Sequence, residues 1–269
     1  MKKTLALFLA LLMLFALTAC GHKAPTSVEE PSPDPVIEPE TETPAEEVPA
    51  EEEAPLAAVT NYADFMAAED YTPVEVETYV QDTQSWWNDQ ITVYTQNQDG
   101  AFFVYNMACS QEDAAKLVPG QKILVKGDKG TWAGEVEIVD ASFEFVDGDS
   151  FVAEPLDVTD LLGTEELAAH QNEKVTFNGL TIVAKDDGES AFYRGWDNSG
   201  EAGSDADLYF DASINGETYT FVIEYYLRNE ATVAYQAVEN LKVGDVVDLE
   251  GFLYWYEGAQ PHITSVTVK

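Results

Sequence analysis

Aromatic side chains are the residues whose types and spacing most directly suggest a binding chemistry in this sequence. They occur in short groups near turn-forming residues, where a flat ring can stack on a sugar, a base or a peptide side chain. The alternative is that these rings pack inside the protein or between its domains. The candidate ligand-binding residues are Trp86, Trp87, Tyr94, Trp132, Tyr193, Trp196, Tyr254, Trp255 and Tyr256.

Signals for a metal site or for catalysis are weaker. Five aspartates cluster in and beside one Gly-rich and Ser-rich stretch and could hold a hard cation such as Ca²⁺, although their spacing is not that of an EF-hand loop. The three histidines are far apart and lack ligand spacing. No nucleophile elbow, phosphate loop or HExxH motif is present, so we expect neither an enzyme nor a cofactor, while a glycosidase-like carboxylate pair stays open. The candidate aspartates are Asp186, Asp187, Asp197, Asp205 and Asp207.

Cys20 follows a short apolar segment at the N-terminus. Lys2 and Lys3 precede the apolar residues 5–17, and the segment ends in Leu-Thr-Ala-Cys. Its length, positive start and small final residues are typical of a secretory signal and too short for a membrane-spanning helix. If Cys20 is modified, Cys109 has no partner within the chain, and we interpret it as a small buried apolar residue.

The last four residues of that segment resemble the lipobox of bacterial lipoproteins. The resemblance implies that residues 1–19 are a signal peptide that is removed, and that Cys20 carries lipid. It also implies a cell-membrane location on the extracytoplasmic side, with the membrane as one partner. The alternative is an ordinary signal peptide with a chance cysteine. Residues 20–57 are rich in Pro and Glu and read as a disordered linker that extends from the anchor.

The charge balance is strongly acidic. The chain has 50 acidic and 13 basic residues and a formal net charge of −37. Most of this excess remains after the linker is set aside. Proteins that bind nucleic acid need Lys and Arg to displace counterions from phosphate. The balance therefore argues against nucleic acid as a partner. The possible partners are an extracellular polysaccharide or a protein. The acidic charge itself is interpreted as a well-solvated surface.

Two similar stretches indicate that one structural unit is present twice. Residues 117–127 read LVPGQKILVKG and residues 241–251 read LKVGDVVDLEG, so that Gly120 matches Gly244 and Gly127 matches Gly251. Around each stretch the pattern predicts three strands, a helix and two strands. The predicted strands are 72–81, 91–96, 101–107, 121–126 and 135–145, then 174–184, 207–214, 217–224, 245–249 and 262–268.

This order predicts an all-β chain of two tandem five-stranded Greek-key barrels of the OB type, each with a helix between strands three and four. We place the barrels at residues 58–150 and 151–269. Asp99-Gly100 and Asn215-Gly216 predict type I′ hairpin turns. The first barrel resembles the OB-type domains of bacterial secreted lipoproteins and of modules associated with extracellular nucleases. The resemblance rests on ETYVQDTQSWW, the Asp99-Gly100 hairpin and LVPGQKILVKG, which carry no catalytic residue.

OB barrels bind ligands on the face of strands two and three and through the adjoining loops, which is where the candidate aromatics fall. For Phe103, Tyr105 and Tyr209, which lie on predicted strands, packing is slightly favoured over binding. We expect a cell-surface lipoprotein that acts as a non-catalytic binding module. The alternatives are an assembly lipoprotein that docks other envelope proteins, and an accessory protein of an extracellular nuclease or another hydrolase.

Overall fold

The computed structural model describes residues 60–269, so the predicted signal peptide, Cys20 and most of the linker lie outside the described residues. Within the described part, no helix is long and apolar enough to cross a membrane. Within residues 60–269, both barrels belong to one compact unit.

The first barrel begins with a short helix, α1 (Tyr62–Ala67), which is capped by the side chain of Asn61 and buries Phe65 against Phe102. Five strands then close into a ring in the order β1-β2-β3-β5-β4, in which β4 pairs with β1 and β3 runs parallel to β5. Its elements are β1 (Pro73–Thr83), β2 (Gln90–Gln96), β3 (Ala101–Ala108), α2 (Gln111–Ala114), β4 (Lys122–Trp132) and β5 (Glu135–Phe145).

The second barrel repeats this ring. The strands β7, β9, β10, β12 and β11 each pair with the next, and β11 returns to β7. Two 3₁₀ turns, Thr159–Leu161 and Glu165–His170, lead into it. Its elements are β6 (Leu156–Asp157), β7 (Lys174–Val183), β8 (Phe192–Arg194), β9 (Leu208–Ile214), β10 (Glu217–Ile223), α3 (Val233–Glu239), β11 (Val246–Phe252) and β12 (His262–Val268).

The predicted fold class is confirmed: each barrel has the OB strand order, with a helix between its third and fourth strands. The repeated glycines have structural causes. Gly120 and Gly244 adopt φ of 88° and 95° in the turn before the fourth strand, a conformation that costs glycine little. Gly127 and Gly251 lie at bulges in that strand, where an added Cβ would meet backbone atoms of the fifth strand.

Three local predictions were wrong. The fourth strand was predicted to end at residue 126, but β4 continues through the bulge to Trp132 and turns at Ala133 and Gly134. The residues between the predicted strands 174–184 and 207–214 contain a further strand, β8, which continues along the edge of β9 where β7 ends. Asp99-Gly100 is not a type I′ pair, since neither residue has positive φ. Instead, the side-chain oxygen of Asn97 accepts hydrogen bonds from the backbone amides of both residues. Asn215-Gly216 has positive φ at both positions, as predicted.

Each barrel has its own apolar core, and a third cluster joins the two. The barrel cores are built from alternate strand residues that include Val76 and Phe102 in the first and Phe177 and Phe210 in the second. Cys109 is buried with the first core, as predicted. The joining cluster contains Tyr94, Phe103, Leu227 and Phe252, with Tyr254 packed against it.

We predict that Phe252→Ala destabilises the chain by about 3–5 kcal/mol, because it removes a buried ring that stacks on Tyr94 of the other barrel with centroids 4.5 Å apart. Urea denaturation followed by circular dichroism measures the change. Val233→Ala, at an exposed position on α3, is the control and should shift the free energy of unfolding by less than about 0.5 kcal/mol. Equal stability of the two variants would contradict this account of how the barrels are held together.

Candidate functional site

A groove of about 810 Å³ lies between the two barrels. Its size is within the range of ligand-binding pockets. The first barrel contributes side chains from β2, β3, the turn before β2 and the end of β4. The second contributes the segment after β8, the facing ends of β9 and β10, and the connection between β11 and β12. The lining residues are Gln84, Ser85, Trp87, Gln90, Ile91, Thr92, Phe103, Tyr105, Asn106, Trp132, Trp196, Asp207, Tyr209, Glu224, Tyr226, Tyr254, Tyr256, Gln260 and His262.

The floor of the groove is part of the cluster that joins the barrels. The Tyr94 hydroxyl and His262 Nδ1 are hydrogen-bonded at 2.7 Å across the two barrels. Tyr254 stacks on His262 with centroids 4.1 Å apart and meets Phe103 edge-on at 5.3 Å. Burial lowers the pKa of His262 to about 3, so its ring is neutral at physiological pH. The floor is therefore aromatic, uncharged and held by contacts from both barrels.

The rim of the groove carries three exposed tryptophans. Trp87, Trp132 and Trp196 expose 67%, 55% and 78% of their surface, which is unusual for this residue type. Each sits beside a backbone turn that presents it. Asn88 and Asp89 follow Trp87 with φ of 50° and 60°, and Trp132 precedes the turn at Ala133 and Gly134. Turns in both barrels therefore hold these tryptophans at the rim of the groove.

Two carboxylates lie in the groove wall. Because Leu208 pairs with Ile223, the next residues outward, Asp207 and Glu224, meet at the same end of the β9–β10 hairpin. Asp207 Oδ1 accepts the Tyr225 amide at 2.9 Å, and Glu224 Oε2 accepts the Leu227 amide at 2.6 Å. Burial raises the pKa of both carboxyl groups. That of Glu224 rises to about 7, with the charge of Asp207 as the second cause.

Five of the nine predicted binding aromatics line the groove: Trp87, Trp132, Trp196, Tyr254 and Tyr256. The two residues of the Trp86-Trp87 pair therefore separate. Trp86 turns inward, where its indole N–H donates to the Cys109 carbonyl oxygen at 2.8 Å and its ring packs on the first core.

Besides Trp86, three predicted aromatics do not line the groove and pack within the protein. Tyr94 lies beneath the groove floor and is almost fully buried. The Tyr193 hydroxyl accepts the Asp187 amide, and its ring lies 5.3 Å from the Lys185 ammonium. Trp255 packs against the second core, and its backbone amide donates to Glu135 Oε2.

The five candidate aspartates do not assemble into a metal site. In the described part of the chain, no three His, Cys, Asp or Glu side chains are grouped as metal ligands. Asp187 accepts the amides of Glu189 and Ser190, and Asp197 accepts that of Ser199, so these two side chains close turns of their own loop. Only Asp207 reaches the groove.

The groove is also lined by residues that were predicted to pack within the protein or were not predicted at all. Phe103, Tyr105 and Tyr209 are on strands, and packing was favoured for them. Phe103 and Tyr105 are two apart on β3, and rings at that spacing share one face of a strand, which was the available signal. Glu224, at the end of the predicted strand 217–224, and Tyr226 were not predicted, because residues at the end of a strand show no sequence sign of what they face.

Comparisons with known proteins give no family assignment. No protein-family model and no curated protein matches the chain. Among solved structures, the p204 HINb domain is 12% identical with a TM-score of 0.35, and covers 75% of this chain and 100% of that one. The Ifi202 HINa domain in complex with 20bp dsDNA is 14% identical with a TM-score of 0.32, covering 74% and 96%. A replication protein A heterotrimer bound to ssDNA is 10% identical with a TM-score of 0.29, covering 75% and 49%.

The expectation that nucleic acid is not a partner was wrong. Three of the similar structures are complexes with double-stranded DNA: the Ifi202 HINa domain, a murine DNA binding protein and p202 HIN1. The expectation rested on the charge of the whole chain. Net charge is a property of the entire surface, whereas binding is decided by the side chains of one site, so the exclusion is withdrawn.

A buried glutamate at the junction makes stability depend on pH. Glu135 is fully buried between the barrels beside Trp255, and its Oε1 has no hydrogen-bond partner. Burial raises its pKa from 4.5 to about 8. Because the folded-state pKa lies above the unfolded one, its contribution to stability is complete below about pH 4.5 and is lost as the pH rises through 8.

We predict that the free energy of unfolding of the wild-type chain falls between about pH 5 and 8 more steeply than that of Glu135→Gln. The difference in slope should reach about 1.4 kcal/mol per pH unit. Urea titrations across this range measure it, and Glu217→Gln, at an exposed position on β10, is the matched control. Identical slopes for Glu135→Gln and the wild-type chain would show that Glu135 is ionised in the folded state.

Proposed function

We propose that the chain is a cell-surface lipoprotein that acts as a non-catalytic binding module, with its ligand held in the groove between the two OB barrels. The observation that carries this proposal is the convergence of exposed tryptophans from both barrels on one groove. Exposing large apolar rings to water is unfavourable, and such patches mark interaction sites on soluble proteins. A groove of this size takes a small molecule or one segment of a larger one.

The groove is suited to binding because its floor is rigid and its rim is accessible. Tyr94, His262 and Phe252 hold the floor by one hydrogen bond and one stacked pair. A preformed floor lowers the entropy cost of ordering the site on binding. The side-chain amides of Gln84 and Gln90 supply hydrogen-bonding groups beside the rings.

The lipoprotein part of the proposal rests on residues 1–20. Their composition matches a signal peptide that ends in a lipobox, and acyl chains on Cys20 would anchor the chain by burying methylene groups at about 0.8 kcal/mol each. The acidic, Pro-rich residues 21–55 would then hold the barrels away from the membrane. A ligand outside the cell would reach the groove without competing with the membrane surface.

We predict that replacing Trp132 and Trp196 together with Ala weakens ligand binding at least about tenfold, because each stacked ring contributes about 1–3 kcal/mol. The full chain in detergent is screened by calorimetry against oligosaccharides, short peptides, double-stranded DNA and small amines. Tyr71→Ala removes an exposed ring that does not line the groove and should leave binding unchanged. Binding that survives the double substitution would place the site elsewhere, and turnover of any probe, with or without divalent metal, would contradict the non-catalytic assignment.

We predict that Cys20→Ala moves the chain from the membrane fraction to the soluble fraction and removes the lipid mass from the mature N-terminus. Expression of the full chain in a bacterium that processes lipoproteins, followed by detergent phase partition and mass spectrometry, measures both. Cys109→Ala is the matched control, since Cys109 is buried in the first barrel. If the Cys20 variant stays in the membrane with unchanged mass, the lipobox assignment fails.

A further inference from the structure

Accepting the groove as the binding site proposed above, we propose that its ligand is an organic cation with an ammonium headgroup. The headgroup would lie over the aromatic rings and against the carboxylates of Asp207 and Glu224. The geometry of the β9–β10 hairpin, the charges around it and the rings of the rim each point to this class of ligand.

The hairpin brings the two carboxylates together without a protein cation between them. Asp207 and Glu224 flank the Leu208–Ile223 pair and so occupy neighbouring positions across the two strands. Like charges at such positions destabilise a sheet, so this pair lowers the stability of the fold. Burial raises the pKa of both carboxyl groups, and the charge of Asp207 adds to the rise at Glu224.

The basic side chains of the surroundings are already engaged. Arg228, four residues after Glu224, forms an ion pair with Asp82 of the first barrel and donates to the Leu227 carbonyl. Lys185 pairs with Asp211 at 3.0 Å. Among the described residues that line the groove, none is Lys or Arg, and His262 is neutral. A positive group on the ligand would therefore supply the missing compensation.

The rings of the rim favour the same sign of charge. The face of an aromatic ring carries partial negative charge and attracts a cation within about 6 Å, most strongly when the ring is that of tryptophan. Trp132 and Tyr256 stand together with centroids 5.2 Å apart, and Trp87 and Trp196 line the same groove. An uncharged sugar could stack on these rings, but it would leave the paired carboxylates uncompensated.

The ammonium group can belong to a free molecule or to a lipid headgroup, because both present the same positive group to the groove. A trimethylammonium group fills only part of about 810 Å³, so the rest of the ligand has room along the groove. The experiment therefore uses free choline as one probe, and detergent micelles doped with phosphatidylcholine or with phosphatidylglycerol as a second pair.

The test compares choline with 3,3-dimethylbutanol, which has the same shape and no charge. Calorimetry on the full chain in a polyoxyethylene detergent should show choline binding at least about tenfold more tightly than the neutral analogue. Glu224→Gln should weaken choline binding about tenfold and leave the analogue unchanged. Glu257→Gln removes an exposed carboxylate that does not line the groove and should have no effect.

Micelles doped with phosphatidylcholine that compete with choline, while micelles doped with phosphatidylglycerol do not, would assign the headgroup to a lipid. Choline binding without such competition would assign it to a free molecule. Equal binding of choline and its neutral analogue would overturn the proposal. If an oligosaccharide, peptide or DNA binds in a manner sensitive to Trp132 and Trp196 while choline does not, the cation proposal fails and the binding-module function stands. If no probe binds, both fail.

Discussion

The contact between Tyr94 and the second barrel is the interaction on which the rest of the structure depends. Its ring stacks on Phe252 and its hydroxyl is hydrogen-bonded to His262, so one side chain of the first barrel is held by two strands of the second. A small OB barrel buries limited apolar surface, and sharing a cluster adds burial that neither barrel has alone. The same contact fixes the distance between the rims and therefore defines the groove.

A consequence of this arrangement is that the candidate site is composite. Trp132 comes from the end of β4 in the first barrel, whereas Trp196 and the Asp207–Glu224 pair come from the second. The two barrels are repeats in topology but not in what they contribute: the first supplies rings and uncharged polar side chains, and the second supplies rings and carboxylates. The two barrels share a ring of five strands but differ in their loops, and this difference makes the groove asymmetric.

Much of the fold was predictable because strand alternation and turn residues act locally. The strand order, Asn215-Gly216 and the paired glycines Gly120 and Gly244 followed from patterns within a few residues. Two of the three errors arose where distant contacts decide. Residues 127–132 became strand because Gly127 allows β4 to bend against β5, and β8 formed because β9 has an edge that β7 leaves open.

The sequence by itself determined that the chain has two OB-type units, where their strands run, and that its aromatics are concentrated near loops. Only the tertiary structure decided that Trp87 faces the groove while Trp86 packs on the core, and that Asp207 meets Glu224 rather than the aspartates of its own loop. The physical reason is that strand and turn propensities depend on neighbours along the chain, whereas burial, charge pairing and the shape of a cavity depend on residues brought together from both barrels.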